Sequence, residues 1–248
     1  MLAQPTGSVG ATTATGGWTG GTRMLRARFG LVGLAAPILL ALAAGPAFGA
    51  STPAAVWHMD EQSGSTMHDG SGHANDGTLK HVTLGLAGLS GSSAFGFDGK
   101  SSVIVVPDSA SLNAGAADLV VAVHVAFSEV PEDDYDLIRK GLSSTAGGDW
   151  KIEIVNVHDK AIARCYLRGS GGSWQKTSGP DLADGKWHTI TCEKHAKTVA
   201  LSVDGKVWKK TKSLGTLTNK APLSIGAKAE GGDWYAGAMD EVSIVAGS

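Results

Sequence analysis

From residue 53 onward the chain is written in short apolar runs, broken by Gly, Asp, Asn or Pro roughly every ten residues. No segment sustains a 3.6-residue apolar period long enough for a substantial helix, so the chain must build its core from strands. Strands are predicted at Ala54–Met59, Ala94–Phe97, Ser102–Val106, Leu119–Phe127, Leu137–Lys140, Trp150–Val155, Ala161–Leu167, His188–Glu193, Val199–Val203, Lys206–Lys209, Leu223–Ile225 and Ala238–Val245. Asp204-Gly205 separates two of them by the two residues that a type I′ hairpin turn favours, both at positive φ. The spacing predicts one all-β domain, a sandwich or barrel of antiparallel hairpins.

Residues 1–49 read differently. Arg26 and Arg28 form a basic stretch after Met24, Leu31–Leu42 an apolar one, and Ala47 and Gly49 a small-residue cleavage site. This is the layout of a signal peptide, with Met24 as the expected start and residues 50–248 as the expected mature domain. The apolar stretch is short for a membrane span and carries Pro37. Removing Arg23, Arg26 and Arg28 leaves 18 basic side chains against 23 acidic, a balance of −5. A mildly acidic domain without a basic stripe argues against nucleic acid and against anionic membrane as partners. Cys165 and Cys192 are the chain's two cysteines, and in an exported protein they are expected to form a cross-strand or strand-end disulfide. The expected location is secreted and extracellular.

Several segments recur in a family pattern. In order they are Val56-Trp57-His58-Met59-Asp60-Glu61, Asp69-Gly70-Ser71-Gly72, Asn75-Asp76-Gly77, Phe97-Asp98-Gly99, Val103 to Pro107-Asp108, Ile138-Arg139-Lys140-Gly141, Asp184-Gly185-Lys186-Trp187-His188, Val203-Asp204-Gly205 and Gly237-Ala238-Met239-Asp240-Glu241-Val242. Together they resemble the laminin G-like jelly roll of the concanavalin A-like lectin/glucanase superfamily, of a secreted actinobacterial type. The resemblance implies an antiparallel jelly-roll β-sandwich and, more often than not, a binding or adhesion module. It also implies a structural Ca²⁺ held by an acid matching Asp240, with Asp60 or Asp98 nearby; strand alternation places Asp240 on the same face as Ala238, Val242 and Ile244. A carboxylate on an apolar face needs a partner, whether a cation or backbone N–H groups.

Retaining glucanases of the superfamily carry Glu-x-Asp-x-x-Glu on a strand. Here Glu132 and Asp134 match the first half, but Leu137 stands in the last position and Pro131 disfavours a central strand. The acidic run Glu129–Asp136 therefore reads as a solvated loop, and a polysaccharide-active glycoside hydrolase is the alternative to a binding protein. A structural envelope protein is a further one.

Gly-Gly, a small polar residue and Trp occur together at Gly147–Trp150, Gly171–Trp174 and Gly231–Trp234. Trp57 and Trp187 read as core. Trp174, in the polar stretch Gly169–Gly185, reads as an exposed loop platform for a sugar face or a protein contact, with Trp150 and Trp234 as further ligand-binding candidates. His188 and His195 read as strand residues without a role. The sequence thus predicts a non-catalytic recognition module for a glycan or a cell-surface protein.

Overall fold

The structure, a computed structural model, describes residues 52–247; the leader and its cleavage site lie outside them. Sixteen strands occur among the described residues: β1 (Ala55–Trp57), β2 (Thr66–Met67), β3 (Gly77–Lys80), β4 (Thr83–Ala87), β5 (Ser93–Asp98), β6 (Val103–Val106), β7 (Leu119–Ala126), β8 (Asp134–Lys140), β9 (Asp149–Asn156), β10 (Ala161–Gly169), β11 (Gly172–Thr177), β12 (Trp187–His195), β13 (Thr198–Val203), β14 (Lys206–Thr211), β15 (Leu223–Ile225) and β16 (Ala236–Ala246). All twelve predicted strands are present. The four additional ones are β2, β3, β4 and β11, which are short, glycine-containing or polar, so their own alternation is weak.

Two antiparallel sheets of eight strands face each other. The first runs β14-β13-β12-β7-β16-β5-β4, with β1 also paired to β16; the second runs β11-β10-β9-β8-β15-β6-β3-β2. Alternation decides which side chains meet between them. Val121, Val123 and Val125 of β7 and Ile190 and Cys192 of β12 pack against Ile152 and Ile154 of β9 and Cys165 and Leu167 of β10, all essentially inaccessible to water. Trp57 is fully buried, as expected, and its indole N–H donates to the Asn75 carbonyl at 2.9 Å. Trp187 is not core. It alternates with the inward Ile190 and Cys192 to the opposite parity and lies half-buried on the outward side of β12.

β16 departs from simple alternation in one place. Its register against β7 slips between Asp240 and Ser243, and Glu241 sits at φ 46°. That bulge reverses the parity. Met239 and Val242 are buried, Asp240 pairs with His124 on the outward side, and it is buried beneath the turn at Leu89–Ser92 instead of lying in the apolar core.

Candidate functional site

The sandwich leaves both sheets open on one side, where β11 ends the second sheet and β14 the first. Trp174 lies opposite the buried Leu167 in the β10–β11 register, so it faces inward from the edge of its sheet. Trp208 lies opposite the buried Leu201 in the β13–β14 register and faces inward from the other edge. Each indole is half-buried against the core margin. Between them is an open cleft of about 640 Å³, lined by Trp174, Gln175 and Lys176 of β11 and by Val207, Trp208, Lys209 and Lys210 of β14. The Lys206 ammonium stands 5.2 Å from the Trp208 ring centroid, a cation–π contact that holds the indole in place.

Cys165 and Cys192 form a disulfide with Cα atoms 5.4 Å apart. Both are inward residues of opposite sheets, so the bridge spans the core from sheet to sheet. In register, Cys165 lies beside Lys176, and Cys192 lies beside Leu201, which pairs in turn with Trp208. The bridge therefore closes the floor behind the cleft.

Trp174 is thus placed on an edge strand, not in a loop. Its Gly171-Gly172 turn resembles that of Trp150, where Gly147 and Gly148 sit at φ 86° and 109° and abut the Thr218 and Arg168 carbonyls too closely for any side chain. The destinations differ. Trp150 is buried in the core, and Trp234 is half-buried in the loop leading into β16, so neither lines the cleft with Trp174. Trp208 and its flanking lysines were not singled out from sequence. The alternation of Lys206, Trp208 and Lys210 at every second residue was their one local signal.

The outward face of the second sheet carries a groove of about 590 Å³ whose lining includes Asp134, Arg139, Lys151, Glu153, Arg164 and Asp233. The expected acidic loop is only partly a loop: Asp134 and Asp136 belong to β8, and Asp136 is fully buried. Burial is tolerated because cations converge on it. Arg139 and Lys151 contact Asp136, Lys151 and Arg164 contact Glu153, and Lys228 contacts Asp233 at 2.6 Å. Burial, reinforced by Asp233, pushes the Asp134 carboxyl up to about 6 despite Lys151 nearby.

Of the three acids named for Ca²⁺, Asp60 and Asp240 meet at the neighbouring residues Ser93 and Ser92, and Asp98 lies apart. Both Asp240 carboxylate oxygens accept hydrogen bonds, from the Leu89 and Glu241 N–H groups and from the Ser92 hydroxyl. Asp60 accepts from Ser93 N–H beside it. Asp98 is spent on its own turn, accepting from the N–H groups of Lys100, Ser101 and Ser102. Along β16 the position facing Asp98 is Ala236, four residues from Asp240, or roughly 13 Å at strand rise. The Asp240 carboxylate is thus answered by three donors of its own chain. No group of three or more His, Cys, Asp or Glu with metal-holding geometry occurs among the described residues.

A family model described as the concanavalin A-like lectin/glucanases superfamily, of laminin G type, matches residues 98–247. The chain belongs to this laminin G-like family. No curated protein sequence matches it. Among solved structures, the binding domain of Paraclostridial Mosquitocidal Protein 1 superposes with TM-score 0.63 at 14% identity, over 79% of this chain and 49% of that one. The botulinum neurotoxin serotype D binding domain gives 0.60 at 12%, over 79% and 49%. Domain 4 of AbnA, an extracellular arabinanase from Geobacillus stearothermophilus, in complex with arabinotriose, gives 0.56 at 15%, over 79% and 93%. This laminin G-like chain spans about half the length of the two toxin structures and nearly all of the arabinanase domain.

Two of the laminin G-like segments, Asp184–His188 and Val203–Gly205, fasten strands to one another. His188 of the Asp184–His188 segment is gripped between Asp204 at 2.8 Å and Asp184 at 3.0 Å, tying the β13–β14 hairpin to the start of β12. Burial opposes a charge on His188, but Asp204 and Asp184 prevail and raise its pKa. Asp118 and Glu193 do the same for His195 against burial. A raised folded-state value means the imidazolium stabilises the fold fully below the unfolded value near 6.5 and ceases to as pH rises through the folded value. Melting temperature between about pH 5.5 and 8.5 is therefore expected to fall less steeply in His188→Gln than in wild type. Parallel slopes would remove His188 from the pH response.

Proposed function

We propose that this domain is a non-catalytic carbohydrate-recognition module of the cell exterior, and that a sugar chain lies in the cleft between the open sheet edges. The carrying observation is the pair of half-buried tryptophans, Trp174 and Trp208, delivered from different sheets to one open cleft. Indole faces match the apolar C–H faces of sugar rings, and aromatic anchors in a partly desolvated cleft dominate binding energy. An arabinanase domain of the same fold, solved with arabinotriose, supports a glycan. The leader pattern and the disulfide support an extracellular setting.

Hydrolysis is disfavoured by the charge pairing in the outward groove. A glycosidase needs two carboxyl groups free to act on opposite sides of the scissile bond. Asp134 has a suitable pKa but stands 3.9 Å from the Lys151 ammonium. Asp149, Glu153 and Asp233 are each held by a cation, which leaves Glu230 as the one carboxylate of the groove lining without an ion pair among the described residues.

A glycan array is the direct test, followed by calorimetry on the sugars that bind. Trp174→Ala and Trp208→Ala are each expected to weaken binding at least about tenfold while the melting temperature stays within a few degrees. An array without hits, or variants that bind like wild type, would dispose of the cleft as the sugar site.

A further inference from the structure

The lysines around the two tryptophans specify the ligand further. We propose that the cleft takes an acidic glycan, a polysaccharide bearing carboxylate or sulfate groups; this rests on the cleft being the sugar site.

The described residues carry 18 basic and 23 acidic side chains, so the protein as a whole repels anions. The cleft is the opposite. Lys176, Lys209 and Lys210 line it, Lys206 lies over one of its tryptophans, and its lining contains no carboxylate. None of these four lysines has an ion-pair partner among the described residues. Elsewhere on the sheets, the groove cations Arg139, Lys151, Arg164 and Lys228 are all paired with acids. Four unpaired ammonium groups at one edge repel one another, and an anion relieves that repulsion.

Edge strands often carry lysine simply to block pairing with other chains. An inward lysine serves that role too, but the role needs no aromatic residue and no second lysine-bearing lip facing the first. Here register fixes the faces. Lys206 and Lys210 pair with the buried Val203 and Val199 and so share the inward face of Trp208, while Lys176 pairs with Cys165 and shares the inward face of Trp174. The β14 lip therefore presents charge, aromatic and charge in sequence, their backbone positions roughly 7 Å apart. A ring for the indole, flanked by anionic groups for the ammoniums, is the complement of that pattern. A neutral sugar would leave the charges unanswered, and a small inorganic anion would leave the indoles unused.

Affinity electrophoresis and calorimetry with polygalacturonate, dextran sulfate, neutral dextran and a single-stranded oligonucleotide test the proposal, at low and at moderate salt. The expected result is binding to one or both acidic polysaccharides that weakens as salt rises, with little or none to dextran. The triple variant Lys176→Gln/Lys206→Gln/Lys210→Gln, which keeps the length of the stems nearly unchanged, is expected to lose at least tenfold in that binding with the melting temperature within a few degrees of wild type. Which polymer binds distinguishes carboxylate from sulfate. Equal binding of dextran, with the lysine variant unaffected and the tryptophan variants impaired, would overturn the acidic ligand and leave the sugar cleft standing. Oligonucleotide binding as tight as that of either polysaccharide would overturn it too, by showing selection for charge without sugar. Tryptophan variants that hold the acidic polymers like wild type would bring down both readings.

Discussion

Replacing Cys165 and Cys192 together with alanine is expected to cost about 3–4 kcal/mol, the chain-entropy value for a bridge closing a loop of this length, the two residues being 27 apart in sequence. Both sulfurs sit in the core at 0 and 1% exposure, so the substitution also leaves a small void between the sheets. The loss should appear as a fall in melting temperature of roughly 10 °C. Its distribution matters as much as its size. The bridge ties β10 to β12, one strand in from β11 and two in from β14, so amide exchange in β11 and β14 should accelerate before that in β5–β7. A melting temperature within a degree or two of wild type, or uniform acceleration, would show that the bridge does not govern this side of the sandwich.

Lys140→Ala is expected to be comparably damaging, by about 3 kcal/mol or somewhat more. The Lys140 ammonium is fully buried at the end of β8 and gathers two chain segments that are distant from it in sequence. It donates to Asp108 at 2.6 Å, to the Ala221 carbonyl at 2.8 Å and to the Asn219 carbonyl and side chain at 3.2 Å. Burial lowers its pKa, with Asp108 working the other way. Removing the ammonium strands several acceptors with no donor, which is costlier than the net worth of the bonds themselves. Asp108 keeps some contact with water, so Asp108→Asn should cost distinctly less than the lysine change. Urea unfolding of the two variants makes the comparison; a Lys140→Ala loss under about 1 kcal/mol would mean water replaces the ammonium.

The Lys140 contacts also show what the sequence could convey. Ile138-Arg139-Lys140-Gly141 was visible as part of a family pattern, yet its partners at Asp108, Asn219 and Ala221 are set by topology. Strands such as Ala161–Leu167 and Leu119–Phe127 were legible because each buries one face and its alternation records the fact. β11 was not, because an edge strand with a single inward aromatic carries almost no alternation, so Trp174 looked like a loop residue. The bulge at Glu241 was equally hidden. Glutamate at φ 46° gives no glycine signal, and one extra residue was enough to move Asp240 off the face that alternation assigned it. The cleft escaped for a third reason: Trp174 and Trp208 belong to different sheets, and only the stacking of those sheets brings them together. The disulfide was readable because two cysteines admit one pairing, although its course across the core was not.

The bridge's position also governs how the sandwich carries tension. On the proposed function, a sugar chain held in the cleft would pull on β11 and β14, which belong to different sheets, and so tend to prise the layers apart. Cys165 lies one strand in from β11 and Cys192 two strands in from β14, so that load passes through a covalent bond before it reaches the apolar contact between layers. The far side, bounded by the two-residue β2 and the largely exposed β4, has no such rivet. The bridge therefore shields that weaker margin from a pull applied at the cleft.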